Sequence, residues 1–152
     1  DRWDGIRRHA QPSVECLVGH YDALGELGEN SLVAVFASNI FEHFEVEELE
    51  KVVAVIHRVL KPGGRLICLQ PNYNYAYRQY FDDYTHKSVW THRSLPDFLQ
   101  VNKYGVVHTS PAFLPLTVKS RLPVHPILIK GYIWSPFKPM AGQMLVVAEA
   151  AK

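Results

Sequence analysis

Residues 31–70 read SLVAVFASNIFEHFEVEELEKVVAVIHRVLKPGGRLICLQ, and this stretch decides the fold of the chain. Leu32 to Phe36 is a short, apolar and partly β-branched run, which is typical of a buried parallel strand. Beyond Glu45 the apolar residues recur at helical spacing on one face, at Leu49, Val52, Val53, Ile56 and Leu60. Pro62 is predicted to end this helix, and Arg65 to Leu69 is a second buried strand. Such a strand–helix–strand crossover builds a parallel sheet.

The polar residues that follow these two strands are the first candidates for a functional site. Ser38 to His43 follows the first strand, and Gln70 to Tyr77 follows the second. In an open parallel sheet, ligands bind beyond the carboxyl ends of the strands. The sequence therefore predicts that the chemistry of this protein takes place at that edge of the sheet.

Three motifs resemble those of one enzyme family: FASNIFEHF at residues 36–44, RVLKPGGRLI at 58–67 and DYTHKSVWTHRSLPDFL at 83–99. Together they resemble the central part of the class I S-adenosylmethionine-dependent methyltransferases, of the kind that modify small molecules and glycans. The resemblance implies an α/β fold, with a Rossmann-like, doubly wound, mostly parallel sheet and an antiparallel last strand. It also implies that S-adenosylmethionine is the cofactor and that Val106 to Thr109 pairs with Gly142 to Ala150.

The chain departs from this family at its beginning. Such methyltransferases start with a strand and a glycine-rich turn that holds the methionine part of the cofactor, and no G-x-G motif occurs here. We therefore expect residues 1–152 to form a single, partial methyltransferase domain whose N-terminal strands are missing. The strand Leu32 to Phe36 would then expose an unpaired edge, which proteins avoid. We expect Val14 to Val18, a partner chain or a further segment to cover that edge.

The composition is that of an ordinary globular protein, with 47% hydrophobic and 20% charged residues among 152. A net charge of +1 gives no argument for a nucleic-acid partner. Cys16 and Cys68 show no metal-ligand spacing, which favours a reducing, cytoplasmic location. No apolar run approaches the roughly 20 residues that span a bilayer, so we expect no transmembrane segment.

The resemblance assigns several residues to the cofactor. Asp1 would accept hydrogen bonds from the ribose hydroxyls and Trp3 would cover the adenine, although this terminus could equally be solvated. The family usually has an acidic residue where this chain has His20, a departure for which Asp22 could substitute. The remaining cofactor candidates are Tyr21, Ser38, Asn39, Phe41 and Glu42.

Two histidines are the candidates for catalysis. His43 follows the first strand, where it could orient the acceptor or act as a general base. The bland alternative is a helix-start histidine whose ring is bonded to a backbone carbonyl. His86 is the second candidate, and it belongs to an unusual aromatic stretch.

This stretch, residues 71–93, is too irregular for a strand and too aromatic for a solvated loop, so we interpret it as a lid-like insertion over a pocket. Its substrate-binding candidates are Asn72, Tyr77, Tyr80 and Asp83. Asp83 and His86 could contact or deprotonate a substrate hydroxyl, or they could form a structural hydrogen bond. A metal site of Asp82, Asp83, His86 and His92 matches no strong ligand spacing, and we assign no metal.

Residues 111–140 are rich in proline and are predicted to be irregular. They include the apolar run Ile127 to Trp134, together with cationic residues. Such a segment could bind an anionic or sugar-like acceptor, pack on a membrane surface or form a contact between subunits of a homo-oligomer. It could also be a packed helix with solvated Lys and Arg side chains.

The function that this sequence favours is transfer of a methyl group from S-adenosylmethionine to a small-molecule or sugar acceptor. Because the glycine-rich turn is not found and His20 departs from the family, a second hypothesis stays open. In that hypothesis the chain is a non-catalytic or truncated methyltransferase-like module that acts in binding or assembly. A nucleotide-dependent oxidoreductase would share the sheet but would also need a glycine-rich turn.

Overall fold

A four-stranded sheet forms the centre of the computed structural model, which describes residues 11, 13–14, 19–116 and 125–152. The strands are β1 (Leu32–Ser38), β2 (Leu60–Pro71), β3 (Tyr104–Pro115) and β4 (Ala141–Ala150). They lie in the order β1-β2-β4-β3. β1 pairs parallel to β2, whereas β4 is antiparallel to both β2 and β3. Three strands thus run one way and the last runs against them, which confirms the predicted fold class.

The described residues form four α-helices around these strands: α1 (Val46–Val59), α2 (Tyr73–Ala76), α3 (Ser94–Val101) and α4 (Pro126–Trp134). Short 3₁₀ helices occupy Tyr21–Glu26, Phe41–His43 and Tyr80–Asp82. α1 is amphipathic, as the sequence predicts, and buries the stripe Leu49, Val52, Val53, Ile56 and Val59. This stripe packs in one core with the central residues of β2 and β4 and with Leu95 and Leu99 of α3.

The end of α1 differs from the prediction. The helix ends at Val59 instead of Pro62, and the buried Leu60 already has extended backbone as the first residue of β2. The residue before a proline is disfavoured in helical conformation, so Lys61 cannot continue the helix. Register then jumps, from Leu32 opposite Leu60 to Ala34 opposite Arg65. The residues in between bulge outward.

Gly63 makes this bulge possible because its φ of +73° lies in the left-handed region that side chains disfavour. The next residue is a glycine for a different reason. A Cβ on Gly64 would lie 2.8 Å from the backbone oxygen of Lys61, closer than real contacts allow. The two glycines of the LKPGG motif therefore serve the entry into β2, not a ligand.

Several expectations about the flanking segments can be compared with the described residues. Val14 is exposed and is not in a strand, while residues 15–18 of the expected strand lie outside the described part. The described parts of residues 111–140 are more regular than predicted, because β3 continues to Pro115 and α4 covers Pro126–Trp134. Among the described residues β1 is an edge strand, with Val33 and Phe36 exposed. None of the described helices is long and apolar enough to cross a bilayer.

Candidate functional site

An open cavity of about 1200 Å³ lies beyond the carboxyl ends of β1 and β2, where the sequence predicts the site. Asn39 and Pro71, which follow or end the two strands, both line it. The predicted residues that the structure brings together on its wall are Asn39, Glu42, His43, Tyr77, Asp83 and His86. The cavity is somewhat larger than a typical small-ligand pocket, so it has room for more than one small molecule.

Asn39 makes the turn from β1 into the site. Its φ of +48° is left-handed, a conformation that Asn tolerates better than most residues. Its backbone N–H donates to the Leu69 carbonyl of β2 at 2.8 Å, and its side-chain oxygen accepts from the Gln143 amide of β4 at 3.0 Å. Three strands therefore fix the position of this turn.

Glu42 is a carboxyl group in an almost fully buried place, with 1% of the residue exposed. Its backbone carbonyl accepts from the N–H groups of Lys87 and Ser88, which ties the Phe41–His43 turn to the 71–93 segment. Its side-chain Oε1 lies 3.9 Å from His86 Nε2, and Oε2 has no hydrogen-bond partner. Burial, and to a smaller degree the nearby Asp83, raises the pKa of Glu42 to about 7.

His43 is the end of a short hydrogen-bonded chain. The Thr85 hydroxyl lies 2.5 Å from Asp83 Oδ1 and 2.9 Å from His43 Nδ1. The carboxylate can only accept, so the single hydroxyl proton of Thr85 points to Asp83. The Thr85 oxygen must then accept from Nδ1–H of His43, as the Thr85 carbonyl at 3.3 Å also does. In the neutral ring this leaves the Nε2 lone pair free to accept a proton.

Asp83 is held ionised by its neighbours. Its carboxylate accepts from both the backbone N–H and the hydroxyl of Thr85, and these two bonds lower its pKa. Asp83 thus orients His43 through Thr85, in the way that a buried acid orients a catalytic base through an intervening group.

His86 stands between His43 and Tyr80, with ring centroids 4.9 and 4.7 Å away respectively. Its side chain is 10% exposed, and its Nδ1 is buried without a hydrogen-bond partner. Burial and the neighbouring His43 lower the pKa of His86, so the ring is neutral at physiological pH. Near neutral pH the Glu42 carboxyl is therefore divided between its protonated and ionised forms, beside a neutral His86.

Glu42, His43 and His86 also offer three potential metal-ligand atoms that lie within 4.8 Å of one another. Ligands that share one zinc ion at about 2.1 Å stand at most ~4.2 Å apart. Glu42 Oε1 and His86 Nε2, which are 3.9 Å apart, lie within this limit. The four-residue set considered from the sequence is not favoured, because His92 lies 3.1 Å from the Asn72 amide and stacks on Tyr75.

Two of the predicted substrate-binding residues, Asn72 and Tyr80, use their side chains to bond to the protein's own backbone. The Asn72 amide donates to the Pro111 carbonyl, and its oxygen accepts from Asn74 N–H, so its groups hold the chain after β2. Tyr80 is fully buried, and its hydroxyl donates to the Ser88 carbonyl at 2.8 Å. Neither residue lines the cavity.

The cofactor candidates are divided in the same way. Asn39 and Glu42 line the cavity, whereas Ser38, Phe41, His20 and Tyr21 do not. Phe41 belongs to the core, and His20 lies 3.6 Å from Asp22 and 3.8 Å from Glu48 at the surface. Asp1 and Trp3 lie outside the described residues.

Sequence reasoning missed Thr85 and Gln143, which position His43 and Asn39. A threonine two residues after an aspartate is a weak signal of a local side-chain turn and was available in the sequence. The contact of Gln143 spans from the last strand to the first turn, and no local pattern announces it.

Comparisons with protein families and with solved structures point to the methyltransferases. Residues 4–68 match the family model described as a methyltransferase domain. The resemblance to the class I methyltransferases is confirmed. None of the curated proteins matches this chain in sequence.

Solved structures share the methyltransferase fold at low sequence identity. A SAM-dependent methyltransferase from Archaeoglobus fulgidus is 16% identical and has a TM-score of 0.67, over 98% of this chain and 73% of that one. A chain from the Haloferax volcanii complex between a methyltransferase and its Trm112 activator is 18% identical, with a TM-score of 0.68 over 96% of this chain and 65% of that one.

A third neighbour contains ligands. The Burkholderia thailandensis 1,6-didemethyltoxoflavin-N1-methyltransferase, with bound 1,6-didemethyltoxoflavin and S-adenosylhomocysteine, is 16% identical and has a TM-score of 0.53. The match covers 85% of this chain and 48% of that chain. This chain therefore spans between about half and three quarters of the length of these three neighbours.

Proposed function

We propose that this domain transfers a methyl group from S-adenosylmethionine to an oxygen or nitrogen atom of a small-molecule or sugar acceptor. The observation that carries the proposal is the Asp83–Thr85–His43 chain, which ends in a free ring nitrogen on the wall of the cavity. The methyltransferase match of residues 4–68 supports the reaction type.

S-adenosylmethionine supplies a methyl group on a positively charged sulfur, which is already activated for transfer. Of the described residues, Asn39 and Glu42 are the ones on the cavity wall that would hold its amino-acid end. Glu42 fits this role because one carboxyl oxygen is buried without a partner and would gain a hydrogen bond from an ammonium group. A neighbouring positive charge would also favour the ionised carboxylate.

The residues of this chain then have to align the acceptor and remove its proton. With S-adenosylmethionine bound, His43 Nε2 would accept the proton of the acceptor hydroxyl or amine, and the cofactor would supply the methyl group to that oxygen or nitrogen. The products are the methylated acceptor, S-adenosylhomocysteine and a protonated His43, whose imidazolium the nearby Asp83 stabilises. Most of the acceleration comes from alignment, because the methyl donor needs no activation.

The other side of the cavity suits a ring-shaped acceptor. Tyr75 and Tyr77 line it, and each is 52% exposed. Exposed aromatic rings offer large, rigid contact faces at low entropic cost. Arg78 lies over the Tyr77 ring at 5.6 Å, and its Nε–H donates to the Tyr77 hydroxyl. Its charge and its other N–H groups are available to polar groups of the acceptor.

Calorimetric titration with S-adenosylmethionine and S-adenosylhomocysteine tests the proposal first. We expect micromolar binding of both, and a weaker affinity for the methyl donor in Glu42→Ala. Exposed Glu50 provides the matched control, and Glu50→Ala should bind normally. Release of S-adenosylhomocysteine in the presence of candidate acceptors then identifies the acceptor. Absence of binding, also after the natural upstream sequence is added, would overturn the proposal.

A binding or assembly module without turnover is the second candidate. His20, at the position where the family usually has an acidic residue, favours it. A protein partner would suit this role, since one structural neighbour is seen with the Trm112 activator. Cofactor binding without methyl release for any acceptor, together with specific capture of one partner or self-association, would favour this candidate.

We also propose a cytoplasmic location, where a buried free thiol such as Cys68 stays reduced.

A further inference from the structure

Helix α4 is apolar on every side and contributes no buried residue to the core. Its exposed apolar side chains continue into the following loop, and we call this set the apolar surface. Its members and their exposed fractions are Ile127 71%, Leu128 57%, Ile129 42%, Ile133 38%, Trp134 87%, Phe137 76% and Met140 81%. A helix that is hydrophobic all round normally lies in a core or in lipid. We therefore expect a partner to cover this surface.

Local bonds hold α4 in place without help from the core. His125 accepts from Ile127 N–H at the start, and Pro126 occupies a first-turn position that needs no N–H. At the other end the Lys138 ammonium donates to the carbonyls of Tyr132 and Ile133. The helix ends are thus largely satisfied, as a helix at a water–lipid boundary requires. Among the described residues, its apolar side chains add nothing to the buried hydrophobic core.

The charged residues that precede and follow α4 in the sequence have one sign. No Asp or Glu occurs between Asp97 and Glu149, a span that includes Lys103, Lys119, Arg121, Lys130 and Lys138. Lys130 is exposed on α4 itself, and Lys138 follows it. Two copies meeting through this surface would bring like charges together, because a symmetric contact uses the same patch twice. An anionic lipid surface offers both apolar volume and opposite charge.

We propose that α4, Phe137 and Met140 dock this protein on the surface of an anionic lipid bilayer. With nine residues the helix is too short to cross a membrane, so it lies in the interface. Trp134 and Tyr132 sit on it, and these are the side chains that favour the level of lipid headgroups.

The docking surface adjoins the catalytic cavity. Lys138 and Met140 line the same cavity as His43 and His86. If the proposed methyl transfer is correct, on which this step rests, the acceptor is an amphiphile whose polar head enters the cavity while its apolar tail stays in the bilayer. A lipid-linked sugar has that chemistry.

Co-sedimentation of the chain with vesicles tests the docking. We expect binding to vesicles of phosphatidylcholine with phosphatidylglycerol, weaker binding to phosphatidylcholine alone, and a decrease at high salt. Ile127→Asp and Trp134→Asp should each reduce binding by about tenfold or more. Val101→Asp is the matched control, since Val101 is 82% exposed on α3 outside the apolar surface, and it should bind as the wild type does.

Far-ultraviolet circular dichroism should show that all three variants are folded, because the replaced side chains are exposed. Equal losses in Val101→Asp and Ile127→Asp would overturn the proposal, as would failure of the wild type to bind the anionic vesicles. A dimer that Ile127→Asp dissociates, without vesicle binding, would assign the surface to a second copy. Titration of Ile127→Asp with S-adenosylmethionine separates the two proposals, because docking can stand or fall while cofactor affinity is unchanged.

Discussion

Glu42 is the residue whose chemistry depends most on its surroundings. In solution its carboxyl group would be ionised at neutral pH, yet burial raises its pKa to about 7. The folded protein therefore binds a proton there that the unfolded chain releases. This group favours the folded state fully below pH 4.5, its ordinary pKa, and the contribution is lost as the pH rises through about 7.

Glu42→Gln should change the pH dependence of stability. The amide cannot ionise, so the free energy of unfolding of the variant relative to wild type should rise by about 3 kcal/mol between about pH 4.5 and pH 8. Urea unfolding across this range measures it. The exposed Glu50→Gln should show no such trend. A pH-independent difference for Glu42→Gln would mean that its carboxylate is compensated in the fold.

His43→Ala should lower turnover by about 10²–10⁴-fold while the affinity for S-adenosylmethionine stays within about twofold, because the ring acts on the acceptor proton. Steady-state release of S-adenosylhomocysteine and calorimetry measure the two quantities. Added imidazole should restore part of the rate, which a structural role would not allow. His57→Ala is the control, since His57 contacts the Ala151 carbonyl and Tyr104 away from the cavity. Unchanged turnover in His43→Ala would exclude the base role.

How far the site could be read from the sequence is clearest at these residues. The end of a buried strand made Glu42 and His43 candidates, because parallel strands place their ligands there. The sequence could not show that Thr85, 42 positions later, fixes the proton on His43. The sequence also could not show that the side chains of Tyr80 and Asn72 are buried instead of exposed to solvent, because aromatic and amide side chains occur in both environments.

At the level of elements, buried polar hydrogen bonds hold the 71–93 segment in place. We call this segment the strap. The Tyr80 hydroxyl donates to the Ser88 carbonyl, and the Trp90 indole donates to the Ser88 hydroxyl at 2.8 Å. Ser88 N–H in turn donates to the carbonyl of Glu42. The strap therefore carries Asp83, Thr85 and His86 to the cavity in a fixed register.

Tyr80→Phe should destabilise the protein by about 1–3 kcal/mol, because it leaves the buried Ser88 carbonyl without its donor. The free energy of unfolding in urea measures the loss. Tyr84→Phe removes the same hydroxyl from a side chain that is 92% exposed and should have no effect. If the two variants were equally stable, the Tyr80 hydroxyl would contribute nothing to holding the strap.

The elements also show where pattern reading fails. Leu60 continues the helical period of α1 and was assigned to its apolar face, yet it starts β2. Periodicity counts side chains, whereas the backbone restriction before Pro62 acts on Lys61, one residue before the visible helix breaker. Prolines also explain the missed helix at residues 126–134. Their number in residues 111–140 led to the prediction of an irregular segment.

For the whole molecule, the strand order decides which parts are stable. β4 lies between two partners, and its Met144, Val146 and Ala148 are essentially unexposed. β1 has one partner among the described residues. The parallel pair β1–β2 followed from the crossover pattern, and the family resemblance implied the pairing of β3 with β4. The place of β4 between β2 and β3 was not predicted, because no local signal encodes it.

Amide hydrogen exchange should therefore be slowest in β4 and at least about tenfold faster in β1, because local opening of an edge strand breaks fewer contacts. Exchange followed by mass spectrometry of peptides from residues 32–38 and 141–150 measures this difference, with the exposed helix α4 as the fast reference. Equal protection of β1 and β4 would instead indicate that another segment pairs with the outer edge of β1.

The place of β4 also bears on how the chain reaches its fold during synthesis. β3 is paired through β4 and has no other strand neighbour in the described sheet, yet β4 leaves the ribosome after both β2 and β3. Until it arrives, β2 and β3 each present an open edge in a half-built sheet, and such edges are where nascent chains aggregate. Chaperone dependence of this protein should thus concentrate in the interval between translation of β3 and of β4.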